Sequence, residues 1–466
     1  MRIDRRLRHA ITVALAVSAL GIAFLLWRKV PPPSASPQRI QEREQSLLDQ
    51  VQSPANAPDD PNGPVATNDQ LEKQFALIQQ NQQQVDALKY RAASEAAKKQ
   101  VDAFKSNVEK GKTQIGLLNL RLAAFEKDLA ASRQRRPNDP AVQWLTGELL
   151  TAVGGEPEQI LPYFQRAAGS GLERPQLLAS MAKVEFDLNR FPAAYDTAAK
   201  AVTLDTANGA SWEIYRRAAF ALERFAEVSQ KLAQAFPNGA PEWAAPIGQN
   251  AAMLQIAWLK ETRERKKEDA AGDLPLVRLT IEHRAFVSNE TKTTGRGAVT
   301  IALFENQAPA TVANFINLAE KGFYDGTLFY WAEAGHIVVG GDPNTKNDNP
   351  ADDGTGGPGY VIPDEYAAAN TRPHFRGVIS TVQNGPRSAG SQFFLTLVPA
   401  PEFDGNSTAF GRVMEGQDVL DQVTEGRTNR EVGQFGKIIP GDRIVRVEVL
   451  RKRAHVYTVT KIPLRH

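Results

Sequence analysis

The spacing of apolar residues divides the chain into a helical part and a later part made of short strands. Between residues 69 and 136, apolar side chains recur every three or four positions, as on one face of a helix. They are Leu71, Phe75, Ile78, Val85, Leu88, Val101, Phe104, Val108, Ile115, Leu118, Leu122, Phe125 and Leu129. This spacing predicts amphipathic helices over 69–136. A coiled coil and a simple pair of long helices fit equally well, because alanines interrupt the apolar seam.

A second helical pattern repeats with a period of 34 residues between Trp144 and Ala235. Trp144, Leu178 and Trp212 share one phase of this period. A 34-residue helix–turn–helix unit resembles the tetratricopeptide repeat. The pattern predicts repeats and a terminal helix over 137–270, with Trp258 to Glu268 as that helix, and a generic helical bundle is the alternative. The resemblance implies a protein partner bound to the repeats, although so short an array could equally be a spacer.

Beyond residue 275 the apolar residues fall into short runs that predict strands rather than helices. The predicted strands are Val277–Ile281, Ala298–Phe304, Ile337–Val339, Val378–Thr381, Ser391–Leu397, Ala409–Val413 and Ile444–Leu450. Two helices, Ala310–Lys321 and Gln417–Val423, interrupt them. So many short strands in one region favour a barrel or a sandwich. The basic stretch from Arg451 to His466, which includes the C-terminal tail over 456–466, is either an added strand or a loose end.

The N-terminal region has the pattern of a membrane anchor followed by a tether. Ala10 to Trp27 carry no charge, and as a helix they would span about 27 Å, near the roughly 30 Å hydrocarbon core. Arginines at positions 2, 5, 6 and 8 precede this segment and predict a cytoplasmic N-terminus. We therefore expect a single-pass anchor over 1–29, uncleaved rather than a signal peptide, with the rest of the chain periplasmic. Residues 30–68, rich in proline and polar residues, predict a disordered linker.

Composition narrows the chemistry that this chain can perform. Its 466 residues carry a formal net charge of only +2, which argues against general nucleic-acid binding. There is no cysteine, and the six histidines are scattered without metal-ligand spacing. Neither a metal nor a cofactor is therefore expected. The aspartates at 342, 348, 352 and 353 do not follow a calcium-loop pattern and indicate a solvated polar loop.

The segment from Ser380 to Phe394 combines a tight turn with a strand that presents a polar handle. Asn384, Gly385 and Pro386 are turn residues, and the strand that follows alternates its side chains between two faces. Gln392 and Phe394 share one of those faces. Such a pair can line an apolar pocket with one hydrogen-bonding group. An ordinary half-buried strand has the same pattern.

Several motifs in the last part of the chain, in matching order and spacing over nearly all of 276–452, resemble those of cyclophilins, the peptidyl-prolyl isomerases. They are Gln307–Phe315, Lys321–Phe329, Gly340–Asp342, Gly354–Gly359, Ile362–Glu365, Gly390–Phe394, Asp404–Gly405 and Phe410–Val413. The resemblance implies an eight-stranded antiparallel β-barrel with two capping helices over 275–455, preceded by the all-α helical-repeat region. It also implies a groove on the outside of the barrel for proline-containing peptides or unfolded proteins.

The resemblance also assigns positions in that groove. Trp331 stands where the family has its catalytic arginine. The implied substrate-binding positions are Ile337, Val339, Val382, Gln383, Asn384, Gln392, Phe394, Phe403 and Ser407. Val339 replaces a glutamine of the family, and His336 replaces a pocket phenylalanine. The binding part of the site is thus preserved better than the catalytic part.

The reaction itself shows why the arginine matters. An X–Pro bond rotates over a barrier of roughly 18–20 kcal/mol, and no nucleophile is needed to lower it. A charged donor stabilises the twisted amide, whereas tryptophan offers one neutral N–H. Losing such a donor costs about 10²–10³-fold in rate. Arg284, Arg372, Arg376 and Arg387 are possible substitutes that the sequence does not place, as is His336, which is more simply a surface-loop residue.

Two hypotheses follow from the sequence. One is a membrane-anchored isomerase of reduced activity that assists protein folding. The other is a non-catalytic scaffold that binds proline peptides in its groove while its helical repeats recruit a partner. Because the identity of residue 331 separates them, turnover of a proline peptide is the deciding measurement.

Overall fold

The computed structural model describes residues 67–80, 116, 120–287, 290–347, 349, 351–368, 370–383, 385–423 and 441–463. The predicted anchor over 10–27 and nearly all of the predicted linker lie outside these ranges. Among the described residues, no helix is both long and apolar enough to cross a membrane. The chain divides into two compact units, residues 1–173 and residues 174–466.

The described residues of the first unit are mainly helical. Residues 68–80 and 120–135 are helical, followed by α1 (Pro140–Ala152) and α2 (Pro157–Gly169). Asp139 fixes the start of α1, because its carboxylate accepts the backbone N–H groups of Ala141 and Val142. The rings of Phe75 and Phe125 lie 5.9 Å apart in a core shared with α1. Most of 81–119 lies outside the description, so the choice between a coiled coil and a helix pair stays open.

The second unit begins with five helices that share one core. They are α3 (Pro175–Asp187), α4 (Phe191–Leu204), α5 (Gly209–Ala221), α6 (Phe225–Ala235) and α7 (Ala245–Ala271). Fully buried alanines such as Ala182, Ala194 and Ala218 let neighbouring helices approach closely. The interpretation as tetratricopeptide repeats stays a prediction. Helix α7 starts well before the predicted Trp258, since Pro246 is acceptable in a first helical turn.

Within the described residues, eight strands form one antiparallel sheet in the order β3-β4-β6-β5-β7-β2-β1-β8. The strands are β1 (Leu276–Val287), β2 (Glu290–Leu303), β3 (Trp331–Glu333), β4 (Ile337–Gly340), β5 (Val378–Thr381), β6 (Phe393–Thr396), β7 (Ala409–Glu415) and β8 (Arg443–Arg451). Leu328, just before edge strand β3, bridges to Arg443 at the start of the other edge strand, β8. The sheet therefore curls upon itself.

Helices α8 (Pro309–Glu320) and α9 (Gln417–Asp421) accompany the sheet. Phe315 of α8 packs its ring 5.7 Å from Phe393 and 5.3 Å from Phe410, in the core enclosed by the curled sheet. Of the eight strands, β3 was missed, because three residues with one buried side chain carry almost no periodicity. In the C-terminal tail, Ile462 forms an isolated bridge with Val361.

Helix α7 attaches the helical part of the second unit to the sheet. The Trp258 ring lies 4.8 Å from the ring of Phe375, which precedes β5. Arg372 donates two hydrogen bonds to the carboxylate of Glu261 and a third to Glu268. The helices of this unit and the sheet thus share both an apolar contact and a buried ion pair.

Candidate functional site

Three neighbouring strands bring the predicted apolar residues to one face of the sheet. Trp331 of β3 pairs with Val339 of β4, which pairs with Phe394 of β6. Directly opposed residues of antiparallel strands project to the same face. Ile337, Val339 and Phe394 are buried in one apolar cluster with Tyr330, and Val382 and Phe403 pack against it. Five of the predicted groove residues are therefore neighbours in space.

Aromatic rings form the floor and one wall of this cluster. The rings of Phe394 and Phe403 lie 4.6 Å apart, and His336 stacks on the outer side of Phe403 at 5.7 Å. Phe393 points the other way, into the core beside Phe315. This is the alternation predicted for the strand. The surface that these rings form is hydrophobic, as a pocket for a proline ring requires.

Gln392 is held by the glycine-rich loop next to the groove. Its amide nitrogen donates to the carbonyls of Gly354 (3.1 Å) and Gly356 (2.8 Å), and its oxygen accepts from the Tyr330 hydroxyl at 2.5 Å. A Cβ at residue 356 would lie 2.2 Å from a carboxylate oxygen of Asp342, so a larger residue there would displace Asp342. Gln392 is thus oriented by the loop, and its amide donors face the loop carbonyls.

The glycine-rich loop and its surroundings carry several aspartates, which shift the pKa values of nearby groups. Burial, with the negative charges of Asp342 and Asp353, raises the pKa of Tyr330 above its usual value, so its hydroxyl stays protonated. Burial and the charges of Asp342 and Asp352 raise the pKa of Asp353 to about 6. The loop side of the groove therefore gains a further negative charge as pH rises through that value.

The remaining predicted residues lie at the rim or are engaged elsewhere. The side chain of Trp331 is 53% exposed. Gln383 donates to Asp364 at 2.5 Å. Ser407 is buried, and its backbone N–H donates to the carbonyl of Phe403 at 3.0 Å. Asn384 lies outside the described residues.

The candidate substitutes for the family arginine have other partners. Arg372 binds Glu261 and Glu268 of α7. Arg376 binds Asp421 and donates to the carbonyl of Ala221 at 2.8 Å. These two guanidinium groups anchor helices rather than extend into the groove.

In the described part of the chain, the other candidates to replace the family arginine, Arg284, Arg387 and His336, show no contact that places them in the groove. For Arg284 and Arg387, the structure records hydrogen bonds of their backbone N–H groups, to Asp442 and Asp364. His336 has one ring nitrogen 3.0 Å from a carboxylate oxygen of Glu333 and the other 2.6 Å from one of Glu402. Both nitrogens of this histidine are therefore engaged at the rim.

His374 is a site residue that the sequence did not reveal. Its Nδ1 lies 2.7 Å from a carboxylate oxygen of Asp404, and its Nε2 lies 2.8 Å from the hydroxyl of Ser380. The buried ring stacks against Phe394 at 5.8 Å and so supports the floor of the groove from behind. No periodicity marks this residue, because it lies in an irregular segment before β5. The one feature of the sequence that could have indicated His374 as a site residue is its position six residues before Ser380.

The described residues thus form a curled antiparallel sheet with an aromatic cluster on the face opposite its core, the arrangement that the sequence motifs predict. The model of the "Cyclophilin type peptidyl-prolyl cis-trans isomerase/CLD" family matches residues 287–449. A peptidyl-prolyl cis-trans isomerase of Helicobacter pylori is 40% identical over 147 residues, which are 31% of this chain and 85% of that protein. One from Synechococcus elongatus is 36% identical over 161 residues, 34% of this chain and 95% of that protein. The chain belongs to the cyclophilin-type peptidyl-prolyl cis-trans isomerase family.

One solved structure aligns with part of the chain. A cyclophilin-type isomerase of Cryptosporidium parvum aligns with 24% identity and a TM-score of 0.30. The alignment covers 38% of this chain and 99% of that protein. Family membership rests on the two sequence relatives described above.

Proposed function

We propose that the groove around Phe394 binds proline-containing segments of peptides or unfolded proteins and isomerises their X–Pro bonds at a reduced rate. The observation that carries the proposal is the cluster of Ile337, Val339 and Phe394, flanked by Val382 and Phe403. Its rings and branched side chains offer an apolar pocket of the kind that a proline ring needs. The reaction, isomerisation of X–Pro bonds, is inferred from membership of the isomerase family.

In the proposed mechanism, one set of residues binds the proline ring and the preceding amide bond rotates beside them. Phe394, Ile337 and Phe403 would hold the proline ring, which leaves the preceding amide at the rim beside Trp331. Burial of the ring fixes one side of the bond, so the other side must rotate. Trp331 can contribute a flat apolar surface and one neutral N–H, but no positive charge. We therefore expect a rate about 10²–10³-fold below that of a groove with a charged donor.

A non-catalytic peptide scaffold is the second candidate, and the hydrogen bonds of Gln392 favour it. Its amide donors bind the carbonyls of Gly354 and Gly356. A peptide backbone would have to compete with these bonds. In that case the groove would hold proline segments without twisting them, and the helical repeats would recruit a protein partner.

A protease-coupled assay on an Ala-Pro peptide separates the two candidates. We expect slow but measurable turnover by the natural chain and a faster rate for Trp331→Arg, by roughly tenfold or more. Trp243→Arg is the matched control, because Trp243 is also exposed but packs on Phe236 in the helical part. Peptide binding without turnover in both the natural chain and Trp331→Arg would establish the scaffold. Absence of binding would refute both candidates.

We also propose that residues 1–29 anchor the protein in a membrane with the groove on the extracytoplasmic side. The uncharged stretch from Ala10 to Trp27 and the arginines before it support this proposal. The full chain should resist extraction from membranes by alkaline carbonate, whereas a chain lacking residues 1–29 should be released. Complete extraction of the full chain would refute the anchor.

A further inference from the structure

The turn between β3 and β4 is held by a loop from the helical part of the same unit. Asn189, between α3 and α4, accepts a hydrogen bond from the backbone N–H of Gly335 at 2.7 Å, through its side-chain oxygen. Asn189 is buried and has φ +55°, a left-handed conformation that asparagine tolerates better than most residues. The backbone of Asn189 ends α3, where its N–H donates to the carbonyl of Phe186 at 2.8 Å, and its side chain makes the contact with Gly335.

A phenylalanine ring closes the same contact from the side. Gly335 has φ +66°, and a Cβ there would lie 2.3 Å from the ring of Phe186. That ring is 1% exposed and is fixed between the ring of Phe191, at 5.1 Å, and the guanidinium of Arg217, at 4.3 Å. Residue 335 therefore needs to be glycine, and the turn fits against a rigid surface.

The turn that is held in this way joins the two strands of the groove wall. Trp331 begins β3 before the turn, and Ile337 begins β4 after it. Between them, His336 binds Glu402 at 2.6 Å and stacks on Phe403. A displacement of Gly335 would therefore move the rim and one wall of the groove together.

The helices that hold the turn lie outside the region shared with the isomerase family. The family model matches residues 287–449, whereas Phe186 and Asn189 belong to α3 and the loop after it. The contact is thus an addition of this chain to the family's sheet. Its position, on the turn between two groove strands, distinguishes it from the attachment of α7 elsewhere on the sheet.

We infer that Phe186 and Asn189 are positioning residues for the groove: they fix the β3–β4 turn and thereby set the affinity for proline peptides. The inference rests on the proposed function of the groove. Its physical basis is that removal of the Asn189 side-chain oxygen leaves the buried N–H of Gly335 with neither a protein acceptor nor water. The turn would then sample other positions, and fewer of them would match the bound geometry.

The test uses the full chain with Asn189→Gly, which keeps the left-handed backbone and removes the acceptor. Asn189→Asp, which restores an oxygen acceptor, is the rescue. Asn208→Gly is the matched control, because Asn208 accepts from Ser211 N at 3.1 Å within the helical part. Hydrogen exchange over residues 331–340 and peptide affinity are measured for each. Circular dichroism and thermal melting verify folding.

We expect Asn189→Gly to speed exchange over 331–340 by roughly tenfold and to weaken peptide binding several-fold. Asn189→Asp and Asn208→Gly should stay close to the natural chain. In turnover assays, KM should rise more than kcat falls. If Asn189→Gly is unstable, Gly335→Ala tests the same turn from the strand side, through the Cβ that would meet Phe186.

Unchanged exchange and affinity in Asn189→Gly would overturn the inference while leaving the proposed function intact. Faster exchange with unchanged affinity would also overturn it, because the contact would then be purely structural. If the natural chain bound no proline peptide, the proposed function would fail, and with it the claim that the contact sets affinity. The exchange data would still decide whether the contact fixes the turn.

Discussion

Replacing Glu261 by glutamine tests how strongly α7 is attached to the sheet. The guanidinium of Arg372 donates to the two carboxylate oxygens of Glu261 at 2.8 and 2.5 Å, and the two side chains are 4% and 2% exposed. The same guanidinium lies 4.0 Å from the centre of the Phe304 ring. Glu261→Gln keeps the shape and one acceptor but removes the charge. It leaves Arg372 buried with Glu268 as its remaining carboxylate partner, and it also removes the negative charge that Arg265 of the same helix contacts at 2.8 Å.

The expected loss follows from the burial of this pair. Removing one partner of a buried ion pair costs about 3–5 kcal/mol. Because Glu268 still binds Arg372, we expect the lower end, about 3 kcal/mol of the free energy of unfolding. Burial opposes ionisation of Glu261, yet the hydrogen bond and charge of Arg372 hold its pKa below the usual value. Its contribution is therefore present at pH 7 and is lost in acid, as pH falls through that lowered pKa.

Urea unfolding at pH 7, followed by tryptophan fluorescence, measures this loss. Trp258 reports directly, because its ring contacts Phe375 beside the ion pair. Glu264→Gln is the matched control on the same helix, where Glu264 pairs with the exposed Lys267, and its midpoint should not move. A midpoint for Glu261→Gln equal to that of the control would refute the reasoning. So would strict additivity with Arg372→Gln, since coupled partners must be non-additive.

Two further predictions concern pH and the glycine-rich loop. Burial raises the pKa of Glu223 to about 7 from 4.5, so the folded state binds an extra proton between these values. The free energy of unfolding should therefore fall as pH rises through that window, by up to about 3 kcal/mol, and urea titrations of Glu223→Gln should lack this fall. A parallel pH dependence in both proteins would contradict it. Gly356→Ala should weaken peptide binding several-fold, as its Cβ displaces Asp342 and releases Gln392 from the loop, whereas Gly357→Ala, with open space around it, should not. Equal affinities in a fluorescence titration would count against this role for the loop.

Local sequence patterns predicted the elements with strong periodicity and the face to which each of their side chains projects. Alternation alone separated Phe393, which enters the core, from Phe394, which faces the groove. The family motifs indicated five apolar positions that the fold does bring together. Both the alternation and these positions depend on short-range pattern or on residues that the family retains.

The contacts that sequence reasoning missed join residues far apart in the chain. His374 supports Phe394 through a ring stack and is held by Asp404, and nothing in its surroundings along the chain indicates either partner. The hydrogen bond between Asn189 and Gly335 spans 146 positions. Such pairings are decided by tertiary packing, which no local periodicity encodes. Strand β3 was missed for a local reason, because its three residues are too few to show a period.

The attachment of α7 also has a consequence for the order in which the protein is built. Arg372 follows Glu261 by 111 positions, so a ribosome completes α7 well before it adds the arginine. Until then Glu261 and Glu268 lack the guanidinium of Arg372, and the ring of Trp258 lacks the ring of Phe375. Helices form from local contacts, whereas the curled sheet must wait for β8, its last strand. We therefore expect the helices of this unit to be the surface on which the nascent sheet docks.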